Sequence, residues 1–164
     1  MKSLCLIRHA KSSWAEENTE DFERLLNDRG VNDAPKMGQK LFNSGFRPDL
    51  IISSPAFRAI STARRFSREL AYDPDFIVAD MRIYNAHEST LIDLIRNIPN
   101  QYKSIALFGH NPGLHQLTHF FVLNAPQEFP TCAVAWLDFS VENWKDITAG
   151  NGKLNFYDYP KNNS

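Results

Sequence analysis

Short apolar runs alternate along this chain with stretches in which apolar residues recur every three or four positions. Leu4-Cys5-Leu6-Ile7 reads as a short buried strand that ends abruptly at Arg8-His9. Val31, Ala34, Met37, Leu41 and Phe42 follow at helical spacing and predict a helix over 31–42, stopped by Ser44-Gly45, with Pro35 near its first turn or at a kink. Asp49 to Ser53, bounded by Pro48 and Pro55, predicts a second strand. Ser54-Pro55 then has the pattern of an N-cap and first-position proline, and Ala59, Ala63, Phe66 and Leu70 carry a helical stripe. Phe76 to Ala79 predicts a third strand, and Leu91 to Ile98 a helix ending at Pro99. Ser104 to Phe108 predicts a fourth strand, closed by Gly109-His110-Asn111-Pro112-Gly113 and followed by a helix through Leu114, Leu117, Phe120 and Phe121. Cys132 to Val141 and Leu154 to Tyr159 are β-rich and alternating, with Asn151-Gly152 as a turn between them. Two stretches lack periodicity: Lys11 to Asp28, expected to be a loop near the site, and Arg82 to Glu88, a connecting loop.

Alternation of strands and helices implies an α/β fold. We expect three α/β/α layers around a mainly parallel central sheet, with antiparallel C-terminal edge strands. Residues 1–160 form one expected domain and 161–164 a polar tail expected to be disordered. Composition adds mainly exclusions. A net charge of −1 argues against nucleic acid as a partner, and no apolar run approaches the ~20 residues of a membrane span. The apolar run before Arg8 is only four residues long, which is not a signal-peptide pattern, so a cytoplasmic location is the default expectation. Cys5 and Cys132 lie far apart in apolar stretches and are expected to be buried thiols. Trp14, Trp136 and Trp144 are expected to pack in the core or at the sheet edge, and Arg64, Arg65 and Arg68 to form a solvated helix face.

Candidate chemistry sits at the carboxyl ends of the predicted strands, where open α/β sheets bind ligands. Arg8-His9 ends the first strand, Arg58 lies in the first turn of the helix after the second, and His110 ends the fourth. An arginine offers a fork of donors that fits phosphate, and a histidine can act as nucleophile or proton carrier. Two arginines and two histidines in one pocket would attract a dianion. Taken alone, Arg8-His9 could equally be a solvated strand end. Ser12 either contacts phosphate or caps a loop turn. His110, His115 and His119 could suggest a metal site, but no carboxylate or cysteine motif completes one, and no metal or cofactor is expected.

Four motifs in order carry a resemblance: Leu6-Ile7-Arg8-His9-Ala10-Lys11-Ser12, Leu26-Asn27-Asp28-Arg29-Gly30, the segment Ser53 to Ala63 containing Arg58, and Gly109-His110-Asn111-Pro112. Together they resemble the histidine phosphatase superfamily in its phosphoglycerate-mutase-like branch, and most of all the SixA-type phosphohistidine phosphatases. The resemblance implies a metal-independent phosphatase in which His9 accepts the phosphoryl group while Arg8, Arg58 and His110 hold its oxygens. Many members carry a glutamate that protonates the leaving oxygen, and here Asn85 fills the matching place, with His87 and Glu88 as neighbouring alternatives. An imidazole leaving group, with a pKa near ~6.5, needs such an acid far less than an alkoxide does. The expected substrate is therefore protein phosphohistidine, on a partner such as a histidine phosphotransfer domain. A small phosphate ester, hydrolysed by a phosphomonoesterase, is the alternative, and a catalytically silent phosphate-binding module is a third reading.

Overall fold

The computed structural model describes residues 1–14 and 18–161. Six strands, β1 (Lys2–Arg8), β2 (Leu50–Ser53), β3 (Val78–Ala79), β4 (Ser104–Gly109), β5 (Val134–Phe139) and β6 (Gly152–Asp158), form one sheet in the order β3-β2-β4-β1-β5-β6. Pairing is parallel from β3 to β1 and antiparallel from β1 through β5 to β6. Helices α1 (Asp28–Asn43), α2 (Phe57–Glu69), α3 (Glu88–Arg96) and α4 (Gly113–Phe121) complete the architecture. This is the α/β fold with antiparallel C-terminal strands that the pattern implied.

The central strands β1 and β4 carry apolar residues on both sides because both faces are covered there. In β1, Leu4 and Leu6 join a core with Leu91, Ile95, Leu114 and Phe121 of α3 and α4. Cys5 and Ile7 point the other way, into a core with Ala34, Met37 and Leu41 of α1 and Ala63 and Phe66 of α2. Strand β4 splits likewise, Ile105 and Leu107 against Ala106 and Phe108. Both cysteines are buried free thiols, and burial raises the pKa of each. Among the described residues, no helix is long and apolar enough to cross a membrane.

Several local expectations change. Helix α1 begins at Asp28 because the Asn27 side chain accepts from the Gly30 amide, at 2.9 Å, and caps it. Pro35 consequently lies inside that helix rather than near its first turn. The glycine stop is as expected, with Gly45 at φ +97°. Ser54-Pro55 is not the start of α2: the cap position is Ala56, and Ser54 Oγ accepts instead from the Ala56 amide in the turn leading in. Residues 74–76 form a 3-10 turn capped by the Asp73 carboxylate, which leaves β3 only two residues. Asn151-Gly152 does not make a tight hairpin, since residues 140–151 connect β5 to β6 through a 3-10 turn at Trp144–Asp146. Trp144 is buried and its indole donates to the Tyr102 carbonyl, and Trp136 packs edge-on against Phe46. Trp14 departs from expectation: it is 76% exposed, with the Arg24 guanidinium stacked on its ring. Arg64 and Arg68 are exposed and Arg65 is half-buried. The expected polar tail at 161–164 lies, apart from Lys161, outside the described residues.

Gly30 ties α1 to the end of β1. A Cβ at this position would lie 2.2 Å from the Lys11 carbonyl oxygen, a backbone atom two residues past His9. Gly30→Ala is expected to push the two segments apart and to destabilise the protein by about 2 kcal/mol or more, measured as a fall in the urea midpoint at unchanged m-value.

Candidate active site

Parallel register builds the site. Arg8 pairs with Gly109 and Ser53 with Phe108, so β1, β2 and β4 end level with one another. The next residue on each strand continues the pairing: the His9 amide donates to the Gly109 carbonyl at 3.1 Å, and the Ser54 amide to the Phe108 carbonyl at 3.0 Å. Because β4 lies between the other two, His110 stands between Ser54 and His9. The two imidazoles are only 6% and 7% exposed, with ring centroids 5.3 Å apart.

His9 Nδ1 is 2.8 Å from the carbonyl oxygen of Ala10. A carbonyl only accepts, so Nδ1 carries the hydrogen and Nε2 holds a lone pair. Burial lowers the His9 pKa to about 3, aided by His110, Arg58 and Arg8 and opposed by the Ala10 bond. Burial also lowers His110 to about 4, with Arg58 adding to the effect. Both imidazoles are thus neutral at pH 7. His110 Nε2 lies 2.8 Å from Ser54 Oγ, and its ring meets Tyr84 edge-on.

The two guanidiniums are held from behind. Arg8 Nη1 donates to the Phe129 carbonyl at 3.3 Å, an acceptor it shares with the Asn111 amide nitrogen at 2.7 Å. Arg58 gives two bonds to one residue, Nη1 to the Asp21 carbonyl at 2.6 Å and Nη2 to the Asp21 carboxylate at 3.1 Å. Burial, and then repulsion from Arg58, hold Arg8 below its ordinary pKa. Arg8 Nε, Arg58 Nε and His110 Nδ1 are buried without a hydrogen-bond partner. Asn111 Oδ1, an acceptor, is a fourth such atom, but the two guanidinium nitrogens are cationic donors, costly when buried unless a ligand meets them, and they suit an anion.

The structure brings Arg8, His9, Arg58 and His110 together. Ser12 is buried nearby in sequence, but its hydroxyl accepts from Arg24 Nη1 at 2.8 Å. His115 and His119 stack on each other along α4, and among the described residues no group of three or more potential ligands could hold a metal ion. His87 is exposed, and Glu88 is half-buried at the start of α3.

Three participants escaped the sequence. Ser54 has the local pattern of a helix cap, although its place at the end of β2 is the same signal that marks His9 and His110. Asp21 gave no local signal, since nothing in the polar stretch 11–28 shows that it folds back on Arg58. Its carboxylate also takes bonds from the Tyr84 hydroxyl and from Arg24 Nε, the latter at 3.2 Å. Burial pushes the Asp21 pKa up, but the Tyr84 and Arg58 bonds outweigh it and hold the carboxyl below its usual value. Tyr84 is the third, one residue before Asn85 in the segment that also holds His87 and Glu88.

The model of the histidine phosphatase superfamily, branch 1, matches residues 4–107. The chain belongs to that superfamily. It is 29% identical to a protein assigned as the phosphohistidine phosphatase SixA of Agrobacterium tumefaciens, whose structure superposes over 97% of this chain and 98% of that one with a TM-score of 0.81. An uncharacterised chloroplast protein of Arabidopsis thaliana is 29% identical over 160 residues, 92% of this chain and 72% of that protein. A 2,3-bisphosphoglycerate-dependent phosphoglycerate mutase of Nautilia profundicola is 38% identical over 98 residues, 57% of this chain but only 42% of the mutase. Family and fold together make this histidine phosphatase-superfamily protein a phosphatase.

Two measurements test the geometry of this phosphatase site. A buried imidazole that stays neutral in the folded state binds fewer protons than its unfolded counterpart below pH ~6.5, so stability falls as pH drops from there toward about 4. Between pH 7 and 5 each of the two imidazoles is expected to cost about 2 kcal/mol, and His9→Asn or His110→Asn should each flatten the urea-measured pH dependence. Asp21→Ala frees Arg58 and is expected to lower kcat/KM on p-nitrophenyl phosphate by about tenfold to hundredfold. Tyr84→Phe leaves both Arg58 bonds in place and should cost less in the same assay.

Proposed function

We propose that the protein is a metal-independent phosphatase that passes the phosphoryl group through His9 and acts on protein phosphohistidine. The neutral His9 ring carries this reading: with its hydrogen committed to Ala10, Nε2 offers a lone pair in a site that also holds the unmet Nε donors of Arg8 and Arg58 and the unpartnered His110 Nδ1. Nε2 attacks phosphorus, and the bond from phosphorus to the substrate imidazole breaks. The electron pair of that bond returns to the leaving imidazole. Arg8, Arg58 and His110 stabilise the transferring oxygens. Water then attacks the phosphorylated His9, releasing inorganic phosphate and restoring the lone pair.

The substrate class follows from proton supply. Asp21 is the carboxylate bonded into the site, and it is held ionised by Tyr84 and Arg58, which makes it a brace for Arg58 and a poor acid. An alkoxide leaving group would require a donor, whereas a phosphohistidine ring that already carries hydrogen on its second nitrogen, as an imidazole pKa near ~6.5 allows, leaves as neutral imidazole without one. Access also suits a macromolecule. Trp14, Leu25 and Phe57 are exposed around a cavity of about 290 Å³ that Arg24 also lines, and Arg24 is joined through Asp21 to Arg58. The likeness to the SixA of Agrobacterium tumefaciens, which is 29% identical and assigned as a phosphohistidine phosphatase, supports the same substrate class.

The test compares turnover of a phosphohistidine peptide, p-nitrophenyl phosphate and a sugar phosphate in EDTA. Preference for the peptide, unaffected by EDTA and lost in His9→Ala by a factor of about 10⁴ or more, is the expected outcome. Faster hydrolysis of the sugar phosphate would identify a small-molecule phosphomonoesterase with a proton donor of its own. Phosphate binding without turnover of any of the three would identify a binding module.

A further inference from the structure

Ser54 is fully buried, at the end of β2, with its hydroxyl against His110. A serine hydroxyl has one hydrogen to give and two lone pairs to receive with. The Ala56 amide occupies one lone pair, at 3.2 Å. Among the described residues, His110 Nε2 at 2.8 Å is the hydroxyl's one other partner. The hydrogen on Ser54 Oγ therefore has a single acceptor, the lone pair of His110 Nε2. The opposite assignment, with Nε2–H donating to Ser54, would strand a buried hydroxyl hydrogen and aim the Nδ1 lone pair at the site, two unfavourable arrangements at once.

From this geometry we infer that Ser54 is a positioning residue that fixes the hydrogen of His110 on Nδ1 and so makes His110 a neutral donor to a phosphoryl oxygen. The role rests on the phosphatase reading of the site. Nδ1 is the nitrogen left buried and unpartnered, in line with a donor kept for the substrate. His9 has the same tautomer for a different reason and to the opposite end. Its Nδ1–H is spent on the Ala10 carbonyl, so it presents a lone pair at Nε2. His110 has its Nε2 lone pair spent on a hydroxyl, so it presents an N–H. One backbone acceptor and one side-chain donor thereby separate two adjacent neutral imidazoles into an electron-pair donor and a hydrogen-bond donor.

Charge alone would not give this division. A protonated His110 would donate from both nitrogens, but burial beside Arg8 and Arg58 opposes that form. A neutral, unfixed imidazole would spend part of its time with a lone pair facing the phosphate, where it repels oxygen. The serine removes that population before substrate arrives, and the register of β2 on β4 sets the distance between the two groups.

Long-range 1H–15N spectra of the full chain labelled with 15N resolve which imidazole nitrogen bears hydrogen, without requiring turnover. His110 of the wild type is expected to be protonated on Nδ1 at pH 7, and inorganic phosphate should move that nitrogen's resonance. In Ser54→Ala the ring should shift toward the Nε2–H form, with His9 unchanged. Its kcat/KM on p-nitrophenyl phosphate should drop about tenfold to hundredfold, short of the full loss of one preorganised donor. Ser54→Thr, which keeps the hydroxyl, should restore both tautomer and rate. A wild-type His110 protonated on Nε2 overturns the inference whether or not any variant folds, and so does Ser54→Ala that keeps both the Nδ1–H form and full turnover. If the tautomer and its shift are as stated but no phosphate compound is hydrolysed, the phosphatase reading fails and the assignment of the Ser54 hydrogen stands.

Discussion

Parallel pairing of β4 with β1 on one side and β2 on the other is the constraint on which this molecule depends. It brings three carboxyl strand ends level, and each delivers a side chain of the candidate site one residue past the last pair: His9, Ser54 and His110. The pairing is stable because both faces of the three strands are covered by helices, and covering both faces requires strands that are apolar throughout. The same burial that secures the sheet also desolvates the site at its edge. Fold and chemistry thus share one cause.

Desolvation decides the protonation of the site. In water an imidazole and a guanidinium a few ångströms apart affect each other weakly, but here both imidazoles are lowered far enough to remain neutral and Arg8 feels Arg58. The site tolerates two buried cations because each is braced by oxygen: Arg8 by the Phe129 carbonyl, and Arg58 by the carbonyl and carboxylate of Asp21. These braces leave the Nε groups unmatched. A phosphoryl group offers oxygen acceptors of the kind these nitrogens and His110 can use.

The loop between β1 and α1 links this pocket to the surface. Asp21 joins Arg58, Tyr84 and Arg24, and Arg24 in turn bonds Ser12 and stacks on Trp14. Ser12, Trp14, Asp21 and Arg24 of this polar stretch are thus tied together, and to Arg58, by contacts with cations. The stretch carries the aromatic rim outside and the brace of Arg58 inside, so contact at one is structurally connected to the other.

The sequence by itself determined the layers and the four central residues. Apolar runs alternating with helical stripes allow few arrangements other than a covered, mainly parallel sheet, and Arg8, His9, Arg58 and His110 stand where such sheets bind ligands. It also marked Gly45 as a helix stop, because a positive φ is a local property of one residue. What only the tertiary structure decided depends on residues distant in the chain. Asp21 meets Arg58 across 37 positions and Ser54 meets His110 across 56, and no local pattern encodes either contact. The start of α2 at Phe57 rather than beside Ser54-Pro55 has the same origin. A serine before a proline is a sound local cap signal, but its hydroxyl is taken up by the Ala56 amide and by His110. Local signals fix where elements form, since they act through backbone geometry and periodic burial. The His9 tautomer rests on Ala10, its neighbour in the chain, but the Ser54–His110 contact and the burial that keeps both imidazoles neutral exist only once the strands have paired.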